Sequence, residues 1–375
     1  MEAITSTSPA PLMRFHCLAL PHTVTNKEYN ACAFTQKVLK FCKMMHPKHT
    51  VYHYGHEDSD VQCKEHITLI TNDDLEKTYG SHNWKKEFFK FDCNDHCHKK
   101  FNELGTIEIS KRYQQGDFIL CFWGYGHYGI AQAFEGALVV EPGIGNYHSF
   151  SKYRVYESYA CMHHTQGLQN TPNPSWYHTV IPNYFDTTDF EYSDEKHEYF
   201  LFLGRISECK GLHIAIQACE ALGYKLKVAG QGPIENFKSD CIEYIGYADT
   251  QTRKKLMKHA KALLIFSDYV EPFGGVTIEA MLSGTPVICP DYGCFVETVP
   301  HGLCGFRVRT FDHILFAMKN IHKIRSFECK MWGERYSLFN IAPRYEEYFS
   351  MLLDLYGEGW YTRHDDRETL KYLCR

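Results

Sequence analysis

Short apolar runs alternate with helical patterns through the second half of the chain, and this alternation strongly constrains the fold. The apolar runs cover residues 199–203, 225–229, 242–245, 262–266, 286–289 and 305–308. Helical patterns begin near Leu212, Thr250, Gly275, Phe295 and Phe311. Short runs that are apolar on both faces, separated by helices, are typical of parallel strands. The second half is therefore predicted to form a parallel sheet that is covered by helices on both faces.

The first half opens with a similar pattern. Residues 14–20 are predicted to form a strand, residues 30–45 a helix and residues 50–55 a second strand. This βαβ order also favours a parallel sheet. Further along, strands are predicted at 117–123 and 138–140, a helix at 154–162, a final helix at 345–356, and an irregular insertion with one or two helices at 58–112. A chain of 375 residues exceeds one typical core, so two such units are expected.

The stretch after the apolar run 262–266 combines two carboxylates with a glycine turn. Glu271 comes just before Gly274 and Gly275, where a helix is predicted to begin. The N–H groups at a helix N-terminus favour anions. Glu279 is the one charge on this otherwise apolar helix, so it needs a protein donor or ligand hydroxyls beside it. The combination suits a ligand with anionic and hydroxyl-rich parts, such as a nucleotide sugar.

Two motifs in this half resemble a known family. The sequence EPFGGVTIEA, with Glu271 and Glu279, is similar to the E-x7-E signature of retaining glycosyltransferases of the GT-B fold, family 4 in particular. Upstream, Gly204-Arg205 followed by Lys210 resembles the G-R-x(n)-K-G donor loop of that family. The resemblance implies an α/β protein of the GT-B type, with two Rossmann-like doubly wound domains that face each other across a cleft.

The same resemblance implies an activity and a domain layout. The expected reaction moves a sugar from a nucleoside diphosphate sugar to an acceptor hydroxyl with retention of configuration, in glycan or glycoconjugate synthesis. Residues 1–12 are predicted to be disordered, 13–190 to form the acceptor-side domain and 191–342 the donor domain. Residues 343–375 are predicted to hold a helix that can cross back to the first domain. The acceptor is left open as a glycan, a lipid or a small molecule.

The resemblance implies that a few residues bind the donor and catalyse the transfer. Arg205 and Lys210 would neutralise the diphosphate, and Glu271 would bind the transferred sugar and stabilise positive charge on its ring. Glu279 would bind the ribose. The donor-binding set is completed by Gly204, Gly230, Phe273, Gly274 and Gly275. With these cations and a helix N-terminus present, the reaction is expected to require no metal and no cofactor.

The assisting residue of the first domain is less clearly marked. Many family members carry a histidine at the tip of a strand, and Glu141 stands at the corresponding position here. His127 and His148 are the alternatives. His22 and Thr23 follow the first strand and are predicted to face the acceptor.

Two other functions compete with this interpretation. Gly124, Gly126 and Gly129 form a G-x-G-x-x-G pattern after a strand, and Glu141 lies where a dinucleotide fold places its ribose-binding acid. A dinucleotide-dependent oxidoreductase is therefore the first alternative. The second is a catalytically silent GT-B protein that binds nucleotide sugars or glycans.

Composition narrows the class of protein. The net charge of -5 gives no support to a nucleic-acid partner. The N-terminus lacks the pattern of a signal peptide, and no uncharged apolar run has the length to span a bilayer, so a cytoplasmic protein without a transmembrane segment is expected. The 16 cysteines are dispersed, which favours reduced core thiols. Cys93 and Cys97 resemble half of a zinc site, but no second pair follows, and no metal is predicted.

Overall fold

The structure is a computed structural model that describes residues 11–145, 148–356 and 358–359. Most of the segment predicted to be disordered, 1–12, lies outside these residues, as does the tail from residue 360. The described chain contains one parallel sheet of seven strands and a second of six.

The first sheet has the strand order β3-β2-β1-β4-β5-β6-β7. Its strands are β1 Arg14–Leu18, β2 Thr50–His56, β3 Glu65–Ile70, β4 Phe118–Cys121, β5 Leu138–Ile144, β6 Tyr153–Tyr156 and β7 Thr179–Val180. Its helices are α1 Ala33–Met45, α2 Asn72–Tyr79, α3 His96–Ser110, α4 Tyr128–Ala133 and α5 Tyr159–Leu168. All strand pairs in it are parallel, as the opening βαβ pattern predicts.

The second sheet has the order β10-β9-β8-β11-β12-β13 and is also parallel. Its strands are β8 Tyr199–Leu203, β9 Lys225–Ala229, β10 Ile242–Gly246, β11 Leu263–Leu264, β12 Val287–Pro290 and β13 Gly305–Val308. The helices are α6 Leu212–Leu222, α7 Thr250–His259, α8 Gly275–Leu282, α9 Phe295–Thr298, α10 Phe311–Asn320, α11 Ser326–Gly333 and α12 Leu338–Leu355. Each of the six predicted strands is present.

The sequence prediction is wrong at two places in the first half. The insertion 58–112 contains strand β3 in addition to helices α2 and α3. The helix predicted at 154–162 is instead strand β6 followed by helix α5. Tyr153, Val155 and Tyr156 are buried in the sheet, and Ser158 then caps α5 by accepting a hydrogen bond from the N–H of Cys161 at 3.0 Å. Tyrosine and valine suit a strand, whereas serine suits a helix N-cap.

The last helix, α12, packs against the first sheet rather than the second. Tyr345 and Phe349 are fully buried in the core cluster that contains Phe15 and Phe41. The rings of Phe15 and Phe349 have centroids 4.8 Å apart. The chain therefore forms the first sheet, then the second, and returns to the first. Among the described residues, no helix combines the length and apolarity that crossing a bilayer requires.

Candidate active site

A cavity of about 760 Å³ opens between the two sheets. From the first sheet's side its lining includes Phe34, Lys37, Lys40 and Glu157. From the second sheet's side it includes Gly204, Arg205, Lys210, Gly230, Arg253, Tyr269, Glu271, Phe273, Gly274, Gly275 and Glu279. All nine residues predicted for donor binding and catalysis therefore line one cavity.

Glu271 and Lys210 form the most tightly connected group in this cavity. The ammonium of Lys210 lies 2.5 Å from Oε1 of Glu271 and 2.6 Å from the hydroxyl of Tyr269. The hydroxyl of Ser267 donates to the same carboxylate oxygen at 2.6 Å. Burial, and next the charge of Glu271, raise the pKa of Tyr269, so its phenol stays neutral. Glu271 is thus a buried carboxylate that is held at one oxygen by a cation and a hydroxyl.

The loop that carries Lys210 depends on a glycine. Gly211 has φ of 67°, and a Cβ on it would lie 2.2 Å from the carbonyl oxygen of Phe266. Only glycine allows the loop after β8 to approach the exit of β11 this closely. The approach brings Lys210 to the segment that contains Glu271.

Two glycines place the neighbouring strand ends side by side. Gly230, after β9, has φ of 148°, and a Cβ on it would lie 1.8 Å from the carbonyl oxygen of Gly204. The backbone N–H of Gly204 donates to Ala229 at 3.0 Å. This close approach brings the backbones of Gly204 and Gly230 together where both residues line the cavity.

Helix α8 begins at the cavity. Gly274 is its N-cap, with φ of 68°, and Gly275 is its first residue. Phe273, 3% exposed, stacks on Phe185 with ring centroids 6.2 Å apart and forms part of the wall. The free N–H groups at the start of α8 give this end of the cavity a partial positive charge.

Glu279, the lone charge predicted to need a donor, meets Arg253. The guanidinium of Arg253, on α7, forms a short ion pair with the carboxylate of Glu279, on α8. Arg253 was missed by sequence reasoning because α7 carries several lysines and an arginine among them has no distinguishing pattern. The donor is therefore a protein side chain that lies in the same cavity.

Arg205 has a different environment from the other cations. It is exposed and lines the cavity, and within the described part of the chain its guanidinium makes no hydrogen bond or ion pair. Its charge is near enough to Tyr269 to oppose, in small part, the rise in the pKa of that phenol. Arg205 therefore presents an uncompensated guanidinium to the cavity.

The two candidates in the loop after β1 do not line the cavity. His22 is 5% exposed and stacks between aromatic rings, with its centroid 5.1 Å from Phe91 and 5.6 Å from His98. Burial lowers the pKa of His22 to about 3. Thr23 is fully buried and its hydroxyl lies 2.7 Å from that of Thr35. Both side chains are used in core contacts, and the meeting of this loop with an acceptor stays a prediction.

His127, Glu141 and His148 also lie outside the cavity lining. His127 is buried with Nε2 2.9 Å from the carbonyl oxygen of Ala19, and burial lowers its pKa to about 3. Glu141 accepts hydrogen bonds from the N–H groups of Phe150 and Ser151 at 2.9 and 2.8 Å. Burial raises the pKa of Glu141 to about 7. His148 is exposed.

These contacts also bear on the dinucleotide interpretation. A ribose-binding acid needs a free carboxylate, whereas Glu141 is buried and bonded to its own loop. The helix after the glycine pattern, α4, has six residues. The glycine pattern therefore serves a tight turn, and the structure gives the oxidoreductase alternative no support.

Sequence reasoning also missed a charged pair on the first sheet's side. The ammonium of Lys37, on α1, lies 2.9 Å from Oε1 of Glu157, and each side chain is 4% exposed. Lys40, one turn further, lies 4.8 Å from the ring centroid of Phe185, and burial lowers its pKa. Lysines at helical spacing resemble a solvated helix face, and Glu157 fell in the wrongly predicted helix, so no pattern distinguished them.

No metal-binding cluster is found in the part of the chain that the structure describes, where no three His, Cys, Asp or Glu side chains are arranged to hold an ion. In the segment that resembles half of a zinc site, Cys93 is exposed and Cys97 is buried. The Asp95 carboxylate there caps α3 and lies 2.9 Å from Nδ1 of His98.

The residues that line the cavity from the second sheet's side lie within a segment that matches a known family. Residues 186–324 match the family model described as glycosyl transferases group 1. An uncharacterised glycosyltransferase of Methanocaldococcus jannaschii is 32% identical over 172 residues, which is 41% of this chain and 42% of that protein. Glycogen synthase of Mycobacterium tuberculosis is 30% identical over 145 residues, 34% of this chain and 35% of the enzyme. The chain thus matches less than half the length of these relatives.

Solved structures are similar over nearly the whole chain. Sucrose-phosphate synthase of Thermosynechococcus elongatus has a TM-score of 0.66 and 16% identity, and covers 91% of this chain and 99% of its own. The Anabaena protein HepE, solved in complex with UDP and glucose, has a TM-score of 0.63 and 15% identity, with 90% and 99% covered. The fold is therefore the GT-B fold, and the segment that matches the glycosyl transferases group 1 model lies in the second half of the chain.

Proposed function

We propose that this protein is a retaining glycosyltransferase that moves a sugar from a nucleoside diphosphate sugar to an acceptor hydroxyl, without a metal ion or other cofactor. The observation that carries the proposal is the group formed by Lys210 and Glu271 beside the N-terminus of α8. It lies inside the segment that matches the glycosyl transferases group 1 model. The bound UDP of HepE makes UDP the first donor nucleotide to test.

The reaction divides between the cations and the carboxylates of the cavity. The bond between the anomeric carbon and the diphosphate oxygen breaks, the acceptor oxygen bonds to that carbon, and the acceptor proton leaves with the diphosphate. Arg205, Lys210 and the N–H groups at Gly274 and Gly275 would stabilise the departing diphosphate. These groups supply the positive charge that a divalent ion supplies elsewhere.

Glu271 and Glu279 would bind the hydroxyl groups of the donor. Glu271 is buried beside Lys210, so it is placed to accept from the transferred sugar and to stabilise positive charge on its ring. Glu279, with Arg253, would bind the ribose. Each carboxylate has a cation as its neighbour, and the two opposite charges compensate each other inside the cavity.

The two sheets would divide the substrates between them. We assign the acceptor to the unit 13–190 and the donor to the unit 191–342, with residues 343–375 containing the helix that returns to the first sheet. Every predicted donor contact lines the cavity from the second sheet's side. A glycan, a lipid or a small molecule would then enter from the first sheet's side.

Ligand-induced stabilisation tests the donor site directly. Unfolding temperatures are measured with UDP, GDP, ADP, their sugar conjugates and NAD(P), without metal, for the wild type and for Glu279→Ala. At 100 times its dissociation constant, a specific ligand stabilises by about 2.7 kcal/mol. We expect one nucleotide and its sugar conjugate to raise the unfolding temperature of the wild type, and this shift to be lost in Glu279→Ala.

The control variant is Glu243→Ala, which removes an exposed acid of β10 that pairs with Lys227 outside the cavity. It should keep the full nucleotide shift. Stabilisation by NAD(P) alone, equal in all three proteins, would refute the proposal. Release of the nucleoside diphosphate from its sugar conjugate then tests turnover, and binding without release would leave the silent nucleotide-sugar binder as the function.

A further inference from the structure

We propose that Glu157, held in place by Lys37, binds a neutral, hydroxyl-rich acceptor on the first sheet's side of the cavity. This inference rests on the proposed glycosyltransferase function and adds to it the chemical class of the acceptor. It also assigns an acceptor-binding residue and a positioning residue that the recognised sequence motifs do not contain.

The first step of the argument is that protein groups surround the ammonium of Lys37. Its ammonium lies 2.9 Å from Oε1 of Glu157 and donates to the carbonyl oxygen of Gly143 at 2.8 Å. It also lies 4.5 Å from the ring centroid of Phe34, a cation–π distance. A lysine has three N–H donors, so little remains for a ligand. Lys37 is therefore suited to fix Glu157 rather than to bind substrate.

The second step is that Glu157 retains a binding oxygen. Lys37 lies at ion-pair distance from Oε1, an atom that is buried without a hydrogen-bond donor, and no residue within the described ranges donates a hydrogen bond to Oε2. Glu157 lines the cavity, where Oε2 can accept from a ligand hydroxyl. A carboxylate is a strong acceptor for hydroxyl groups, and these are the groups that a sugar or a polyol presents.

The third step is that stability does not explain this pair. Both side chains are 4% exposed, and removing two charges from water costs several kcal/mol for each ion. Apolar residues of similar volume often serve a core equally well. Burial raises the pKa of Glu157, and the charge of Lys37 opposes this shift. A lysine–carboxylate pair that is buried at such a cost in a cavity wall is a candidate for function.

The fourth step is the location beside the proposed reaction centre. The hydroxyl of Ser158, the next residue, donates to the carbonyl oxygen of Pro272 at 2.7 Å. Pro272 directly follows Glu271, and consecutive Cα atoms are about 3.8 Å apart. The N–H groups of Tyr159 and Ala160 donate to Glu297 at 2.9 Å each. One hydrogen bond therefore joins the residue after Glu157 to the segment that contains Glu271, and two more hold the start of α5 to Glu297 of α9.

The charge of the pair determines the ligand class. Lys37 neutralises Glu157, so the pair offers an acceptor oxygen without net positive charge. A phosphorylated acceptor would need an uncompensated cation at this point. For Lys40, the next lysine of α1, burial has the largest effect on the pKa and lowers it, and the charge of Glu279 on the donor side has the next largest and raises it. The pair therefore selects hydroxyl groups over anions.

The test uses the full chain with the nucleotide that stabilises it, and two kinds of probe. The neutral probes are the methyl glycosides of glucose, galactose, mannose and N-acetylglucosamine, and the anionic probe is glucose 6-phosphate. The variants are Glu157→Gln, Lys37→Met, and the double variant K37M/E157Q, which removes both charges and leaves no buried ion unpaired. The unfolding temperature without ligand reports whether each variant folds.

We expect at least one neutral glycoside to stabilise the nucleotide-bound wild type further, and glucose 6-phosphate to have no effect. Glu157→Gln and the double variant should lose this second shift while keeping the nucleotide shift. In Lys37→Met the glycoside affinity should fall about tenfold or more, with nucleotide affinity unchanged. A loss of glycoside affinity with unchanged nucleotide affinity indicates that Lys37 positions Glu157, whereas general destabilisation would weaken the binding of both ligands.

Four results would overturn the inference: no glycoside shift in the wild type, an equal glycoside shift in folded Glu157→Gln and in the double variant, preference for glucose 6-phosphate, or failure of either folded Glu157 variant to bind the nucleotide. Failure of the proposed function itself looks different, because no nucleotide would then stabilise the wild type.

Discussion

At the scale of single residues, the cavity is organised by pairs of opposite charge. Lys210 with Glu271, Arg253 with Glu279, and Lys37 with Glu157 each bring a cation to a carboxylate. A buried carboxylate without such a neighbour would rise in pKa and lose its charge. The sequence motifs contain Lys210, Glu271 and Glu279. The other three residues lie outside the motifs, in other parts of the chain.

Glu141 shows the opposite case, in which burial dominates, and it predicts a pH dependence. The pKa of this carboxyl is raised from 4.5 to about 7 in the folded protein. The folded state therefore binds more protons than the unfolded state between these values, and stability falls as pH rises through this window. Glu141→Gln keeps an acceptor for the N–H groups of Phe150 and Ser151 and removes the charge. We expect Glu141→Gln to gain in unfolding temperature relative to the wild type between pH 5 and pH 8.

In free energy of unfolding, we expect Glu141→Gln to gain at most a few kcal/mol relative to the wild type. Thermal unfolding of both proteins across this pH range measures the gain. The relevant quantity is how the difference in unfolding temperature between the two proteins changes with pH. An effect of the substitution that is the same at every pH therefore cancels. A difference that is independent of pH would show that Glu141 titrates normally. Glu243→Gln, which removes an exposed carboxylate outside the cavity, is the control for the substitution itself.

At the scale of elements, the segment from β6 to α5 shows how tertiary contacts select between alternatives. Tyrosine, valine and alanine in 153–162 fit a helix or a strand by pattern alone. Pairing of β6 with β5 and β7 selects the strand, and Ser158 then begins the helix. The N-terminus of α5 consequently contacts segments of the second sheet's side through Pro272 and Glu297.

Ser158 is predicted to act both as a cap and as a link between domains. Ser158→Ala removes an N-cap, which costs about 1 kcal/mol, and also the bond to Pro272. Thr310→Ala is the matched control because Thr310 caps α10 by accepting from the N–H of His313. Both variants should lose similar stability. Only Ser158→Ala should also lower the rate of sugar transfer, measured as release of the nucleoside diphosphate.

Equal transfer rates in the two variants would show that the bond between Ser158 and Pro272 has no part in the reaction. A drop in Thr310→Ala as large as that in Ser158→Ala would attribute the effect to stability alone.

At the scale of the whole molecule, α12 joins the end of the chain to the first sheet. Its apolar face completes the first core, with Tyr345 and Phe349 fully buried. The unit that holds the proposed acceptor pair therefore depends on residues that follow the donor unit in sequence. Stability of the two units is expected to be coupled through this helix.

Two phenylalanines of α12 provide a test, and its control, for the packing of this helix on the first sheet. Phe349→Ala removes a ring that contacts Phe15, Phe41 and Phe118, and we expect a loss of about 3–5 kcal/mol. Phe339→Ala, on the same helix, removes a ring that is 86% exposed and should change stability by about 0.5 kcal/mol or less. Denaturant unfolding of both variants measures the difference. Similar losses in the two would contradict the packing of α12 on the first sheet.

The sequence by itself determined the two parallel sheets, the six strands of the second sheet and the nine donor-side residues that line the cavity. These follow from local patterns, since buried strands, glycine turns and the two motifs each lie within a short stretch of chain. Tertiary structure alone decided which first-domain residues reach the cavity. Buried contacts occupy the side chains of His22, Thr23, His127 and Glu141. Lys37 and Glu157, by contrast, form an ion pair although they are 120 positions apart along the chain (157 minus 37). Pairing across such a separation depends on how helices pack on the sheet, and no local pattern records it.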